Sequence, residues 1–137
     1  MRRGSVLLAD NHSPMLEGIR SLLIERFDVV VMVADATSMM ETLEKLQPDL
    51  VVVDVSLPYV TGQNVIAELH DRYPRINVMA LSAFNDRIII DRTLASGAVA
   101  VVLKSSAVLD LGPALDAVGC GRQYVSPGMQ VSSDICL

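Results

Sequence analysis

Short unbroken apolar runs, separated by stretches of helical spacing, constrain this chain more than anything else in it. Five runs, at 5–9, 29–34, 50–53, 78–81 and 99–103, are rich in valine and four to six residues long. Runs so short, without polar alternation, predict strands buried on both faces. Between them the apolar positions fall three and four apart. Met15, Ile19, Leu22 and Leu23 mark one face of a helix over 14–26, with Pro14 suited to a first helical position behind a Ser13 cap. Ser38 and Glu41 have capping-box spacing, with Leu43 and Leu46 on the apolar face. Val65, Ile66, Leu69 and Tyr73 mark a third helix, which Pro74 stops. Ile90 and Leu94 mark a fourth, closed by Gly97. Leu111, Leu115 and Val118 mark a fifth, its first turns weakened by Gly112 and Pro113. This alternation predicts an α/β domain with a parallel sheet and helices on both faces.

A chain of 137 residues suits one domain, expected over 1–120, with 121–137, in a stretch richer in Gly, Ser and Pro, starting a linker or tail. Hydrophobic residues at 51% and charged residues at 20% exclude a disordered chain. The net charge of −5 argues against a nucleic-acid-binding surface in this segment. No apolar run approaches a membrane span, and the start lacks the pattern of a secretory signal. Cys120 and Cys136 have neither metal-ligand nor redox spacing, so a reducing cytoplasm is the expected compartment.

In an open parallel sheet the ligand site lies beyond the carboxyl ends of the strands. Asp10, Asn11 and His12 follow the first run, Asp54 the third, Ser82 the fourth and Lys104 the fifth. Two carboxylates brought together repel unless a cation lies between them, and oxygen ligands favour a hard ion such as Mg²⁺. A lysine point charge and a serine hydroxyl opposite them suit phosphoryl oxygens. One carboxylate is then placed to act as a nucleophile toward a phosphoryl donor. Singly, each residue has a plainer role: Asp54 as a turn former, Ser82 as a helix cap, Lys104 as a solvated charge, His12 and His70 as surface residues. The case rests on their joint occurrence at successive strand ends.

These positions resemble the receiver domain of two-component response regulators. The resemblance is carried by Ala9-Asp10-Asn11-His12, by Val-Asp-Val-Ser-Leu-Pro-Tyr-Val-Thr-Gly at 53–62, by Ser82-Ala83, and by Ser96-Gly97-Ala98 leading to Leu103-Lys104. It covers about 5–117, and the spacing of Asp54, Pro58 and Gly62 is its most specific part. Gly-Arg-Gln-Tyr-Val-Ser-Pro at 121–127 looks like the receiver-to-linker junction of NarL/LuxR-type transcription regulators. The resemblance implies a flavodoxin-like (CheY-like) doubly wound sheet of five parallel strands in the order 2-1-3-4-5, with five helices. It implies Asp54 as phosphoacceptor, and Asp10, Asn11, Asp54 and the main-chain carbonyl of Ser56 as ligands of Mg²⁺. Ser82 would bond a phosphoryl oxygen in the active state, and Lys104 would pair with the phosphate. A sensor histidine kinase is the implied donor, and a homodimer through the helix 4–strand 5–helix 5 face the implied output. Self-phosphotransfer and autodephosphorylation on Asp54 are the extent of any enzyme activity. DNA would be reached only through a C-terminal effector domain, for which the residues after the linker are too few.

Two positions depart from the family. Asn11 stands where the second acid of the metal pair is usual, which removes one negative charge and should weaken Mg²⁺ binding. Val101 stands where strand five usually carries Tyr or Phe, the aromatic that moves with the Ser82 position. These departures keep open an atypical receiver that works as a phosphorylation-independent dimerisation or interaction module. An aspartyl-nucleophile phosphohydrolase fits less well, since Ser56 occupies the place of its second acid. A flavin or nucleotide binder fits poorly too, because the loop at 10–14 has no glycine and carries an acid. On helix four, Ile88, Ile89 and Ile90 are consecutive and cannot all face the sheet. Ile90 pairs with Leu94, so Ile88, Ile89 or both are expected to be largely exposed.

Overall fold

The computed structural model describes residues 4–10, 13–57 and 64–127, with backbone alone at 13–16. Asn11, His12, Pro58, Gly62 and Cys136 lie outside the described residues. Strands β1 (Ser5–Ala9), β2 (Val29–Val33), β3 (Leu50–Asp54), β4 (Asn77–Ser82) and β5 (Ala100–Leu103) alternate with helices α1 (Ser13–Arg26), α2 (Ala36–Lys45), α3 (Val65–Arg72), α4 (Arg87–Ala95) and α5 (Ala107–Gly119). The strands pair in parallel in the order β2-β1-β3-β4-β5, as expected.

Alternate strand side chains feed two cores, which is why the central runs are apolar throughout. Leu7, Ala9, Val51, Val53 and Ala80 pack with Met39, Leu43, Ile66, Leu69 and Ile90 of α2, α3 and α4. Val6, Leu8, Val52, Met79 and Leu81 pack with Ile19, Leu23, Leu111 and Ala114 of α1 and α5. Arg26 and Asp116 join α1 to α5 through a 2.8 Å ion pair at the surface.

The helix ends differ in detail from the spacing-based reading. Helix α2 is capped by Asp35, whose side chain accepts from Ser38 N, so Ser38 lies inside the helix and the expected Ser38 cap is corrected. An aspartate before the first turn satisfies the same orphan amides that a serine would. Asn64 and Asp86 cap α3 and α4 in the same way. Helix α5 begins at Ala107, so Pro113 lies in its middle and not in its first turns as expected. Ala107, Leu111 and Ala114 are buried along one side of that helix, and their packing holds it across the proline.

A sixth strand, β6 (Tyr124–Val125), extends the sheet inside the stretch expected to begin a linker. It pairs in parallel with β5, Tyr124 opposite Ala100 and Val125 opposite Val101. Val125 packs against the α2–α4 side of the sheet and Tyr124 against the α1–α5 side. The outer edge of β5 is therefore covered by the chain's own residues. An open edge would be a template for unwanted pairing.

Candidate phosphoacceptor site

The strand register decides which polar side chains meet. Ala9 lies opposite Val53 and Asp54 opposite Leu81, so Asp10 and Asp54 emerge level with one another at the carboxyl edge. Ser82, opposite Leu103, ends β4, and Lys104 follows β5 directly. All four residues are buried.

Lys104 Nζ donates to Asp54 Oδ2 at 2.7 Å and to Asp10 Oδ1 at 3.1 Å. Asp54 Oδ1 accepts from the Ser56 backbone N–H at 2.9 Å and from the Ser56 hydroxyl at 2.8 Å. Burial pushes the Asp54 carboxyl up, but the Lys104 ammonium and the two Ser56 donors outweigh it, and the carboxyl titrates below its ordinary value. Asp54 is thus held as a carboxylate, ionised and pre-oriented.

Ser82 reaches the same edge but bonds within its own loop. Its hydroxyl donates to the Phe84 carbonyl at 2.8 Å and accepts from the Phe84 N–H at 3.1 Å. The expected cluster therefore forms around Lys104 from Asp10 and Asp54, while Ser82 stands by with its hydroxyl turned to Phe84. The expected ligand Asn11 falls outside the described residues, and Ser56 stands beside Asp54. Among the described residues no three acids, histidines or cysteines are grouped as for a metal ion. The two buried carboxylates that meet at Lys104 nevertheless offer oxygen donors alone, a set that suits a hard divalent cation.

Two participants were not anticipated in these roles: the Ser56 hydroxyl and Phe84. A serine two residues after an aspartate is a familiar local hydrogen-bonding arrangement, so the first was readable in principle. Phe84 is 59% exposed and carried no pattern to mark it. It borders a hollow of about 410 Å³ lined also by Val55, Leu57, Ile89 and Arg92. Ile88 is 68% exposed, as expected for one of the three isoleucines. Ile89 is half-buried and faces that hollow. His70, expected at the surface, is exposed.

The family model described as "Response regulator receiver domain" matches residues 6–116. The chain is 30% identical over 124 residues to the transcriptional regulatory protein DegU of Brevibacillus brevis, covering 89% of this chain and 52% of DegU. It is 31% identical over 129 residues to the transcriptional regulatory protein RcsB of Escherichia coli K12, covering 90% of this chain and 60% of RcsB. The chain thus spans about half to three fifths of the length of these relatives. Among solved structures, the isolated receiver domain of Salmonella enterica RcsB with the phosphomimetic BeF3- superposes with a TM-score of 0.84 at 27% identity, covering 94% of this chain and 97% of that one. An RcsB–DNA complex gives a TM-score of 0.85 at 28% identity, covering 94% of this chain and 66% of that one. Among the described residues no helix is long and apolar enough to cross a membrane.

Proposed function

Because the chain belongs to the response regulator receiver domain family, we propose that it is the phosphoacceptor domain of a two-component transcription regulator, with Asp54 taking the phosphoryl group. The observation that carries this reading is Lys104, whose ammonium is shared by two buried carboxylates at the strand ends. A carboxylate oxygen of Asp54 attacks phosphorus, an acyl–phosphate P–O bond forms, and the bond to the donor's leaving group breaks with its electron pair. A sensor histidine kinase is the donor in this scheme, so the broken bond is phosphorus–nitrogen. Lys104 remains beside the new charge, and Ser82 exchanges its Phe84 partners for a phosphoryl oxygen.

Asp10, Asp54, the Ser56 carbonyl and the Asn11 amide are the groups that would hold Mg²⁺, which supplies compensating positive charge when bound. With Asn11 in place of an acid, that binding is weak, and Asn11→Asp should tighten it. Water attack on the acyl phosphate returns free Asp54, which makes self-dephosphorylation the domain's remaining chemistry. By analogy with the RcsB–DNA complex and with RcsB dimers bound to DNA, output runs through a dimer, and DNA is reached by an effector domain beyond the receiver unit.

Incubation with a small acyl phosphate and Mg²⁺, read by intact mass, tests the proposal. The expected result is one labile phosphoryl adduct, absent from Asp54→Asn. No adduct, together with a constitutive dimer, would replace this reading with the phosphorylation-independent module. Val101 favours that second reading, since a buried valine replaces the aromatic that couples site to surface in the family.

A further inference from the structure

The chain leaves the sheet at a defined point, and that point is wired to the site. Tyr124 N–H donates to the Val99 carbonyl at 3.2 Å and Ser126 N–H to the Val101 carbonyl at 3.0 Å. The next rung is different. Leu103 N–H donates to the Ser126 hydroxyl at 2.9 Å, so a side chain completes the ladder. Ser126 is fully buried, and Pro127 follows it with no N–H to continue the pairing. Ser126 therefore ends the strand and lets the backbone turn away without stranding the Leu103 amide. Leu103 is joined by one peptide bond to Lys104, the residue that holds Asp10 and Asp54.

We propose that residues 122–127 form a strap on the β5 edge whose hold depends on where Lys104 points, so that a phosphoryl charge on Asp54 loosens it. This rests on Asp54 being the phosphoacceptor. A phosphoryl group places its negative oxygens beyond the carboxylate that Lys104 now contacts. The ammonium follows that charge, and its backbone begins the turn Lys104–Ser106 that directly follows the last rung. A shift there changes the Leu103–Ser126 geometry first. The main-chain rungs to β5, the bond from Arg122 N–H to the Ala117 carbonyl and the half-buried side chains of Tyr124 and Val125 then hold the strap without that rung. Its release would uncover the β5 edge between α4 and α5 and free the chain that follows. The strap thus occupies the helix 4–strand 5–helix 5 face in the resting state.

The test is amide hydrogen exchange at Leu103, Tyr124 and Ser126 in the whole chain, with and without beryllofluoride and Mg²⁺, for the wild type and Ser126→Ala. Beryllofluoride is expected to speed strap exchange in the wild type by about tenfold or more, while amides of β1 and β3 stay protected. Ser126→Ala, with an unchanged circular dichroism spectrum, should show fast strap exchange at rest and little further response. By reciprocity it should also bind beryllofluoride more tightly, by the factor by which the ligand loosens the strap. Beryllofluoride binding with strap exchange unchanged overturns the inference and leaves the phosphoacceptor reading standing. Unaltered exchange in Ser126→Ala also overturns it. No beryllofluoride binding to the wild type removes the phosphoacceptor reading and the coupling with it.

Discussion

Two carboxylates share one ammonium around Lys104, and all three side chains are buried. Removing the ammonium takes a buried partner from both carboxylates at once, whereas removing one carboxylate leaves Lys104 paired with the other. Lys104→Met should therefore cost about 3–5 kcal/mol in urea unfolding. Asp54→Asn should cost less, about 1–3 kcal/mol, because it removes a carboxylate that the fold holds ionised but leaves Lys104 paired with Asp10. Equal stability of Lys104→Met and the wild type would show that the triad does not carry this charge balance. The same geometry sets an acid limb. The Asp54 carboxyl titrates lower folded than unfolded, so on acidification the unfolded chain binds the proton first. Its contribution to stability is complete above the ordinary carboxylate value, about 3.9, and is lost as pH falls through the lower folded value. Thermal unfolding of Asp54→Asn against pH should lose that share of the acid limb, and an identical limb would contradict the assignment.

At the scale of elements, helix α5 contains the least favourable local choice in the chain. Pro113 removes one intrahelical donor and its ring crowds the preceding turn, yet Ala107, Leu111 and Ala114 are buried against the sheet. Pro113 is exposed, so Pro113→Ala leaves the packing intact. It should raise stability by up to about 3 kcal/mol, with the stiffer unfolded chain of the parent taking back part of the gain. A lower melting temperature for Pro113→Ala would mean the proline sets a bend that the packing needs. This helix shows what was legible in advance and what was not. The strands announced themselves as unbroken valine-rich runs, though β2, at the sheet edge, is half-buried to exposed and not buried on both faces as expected, and the strand ends named Asp10, Asp54, Ser82 and Lys104. The cap of α2 was missed because the Ser38 and Glu41 spacing has the form of a capping box, while the backbone bond from Ser38 N–H to Asp35 that sets the true start is a matter of geometry. Strand β6 was missed because two residues between Gly121 and Pro127 are too few for a period to show. Its signal is tertiary, the edge of β5, and not local. The orientation of Ser82 toward Phe84 was equally invisible, since a hydroxyl rotor leaves no trace in spacing.

For the whole molecule, the distribution of exposed apolar side chains matters more than their number. Ile88 on α4 and Leu109 on α5 are 68% and 78% exposed, and β6 lies on the edge of the β5 strand that joins these two helices in space. Scattered surface apolar residues are ordinary, and charged residues stand close in sequence to each, Arg87 and Asp91 to Ile88 and Asp110 to Leu109. If the helix 4–strand 5–helix 5 face is the dimer surface, Ile88 lies within it and its side chain is desolvated on association. Replacing it with a carboxylate places an unpaired charge there in both copies of a two-fold contact. Ile88→Asp should then weaken self-association at least about tenfold by sedimentation, while monomer stability changes by less than about 0.5 kcal/mol, as for an exposed site. Ile89 is unsuited to the same probe, because it is half-buried beside Phe84 and its replacement would disturb the monomer. Self-association unchanged in Ile88→Asp, measured with the phosphoryl adduct present, would move the dimer surface away from α4.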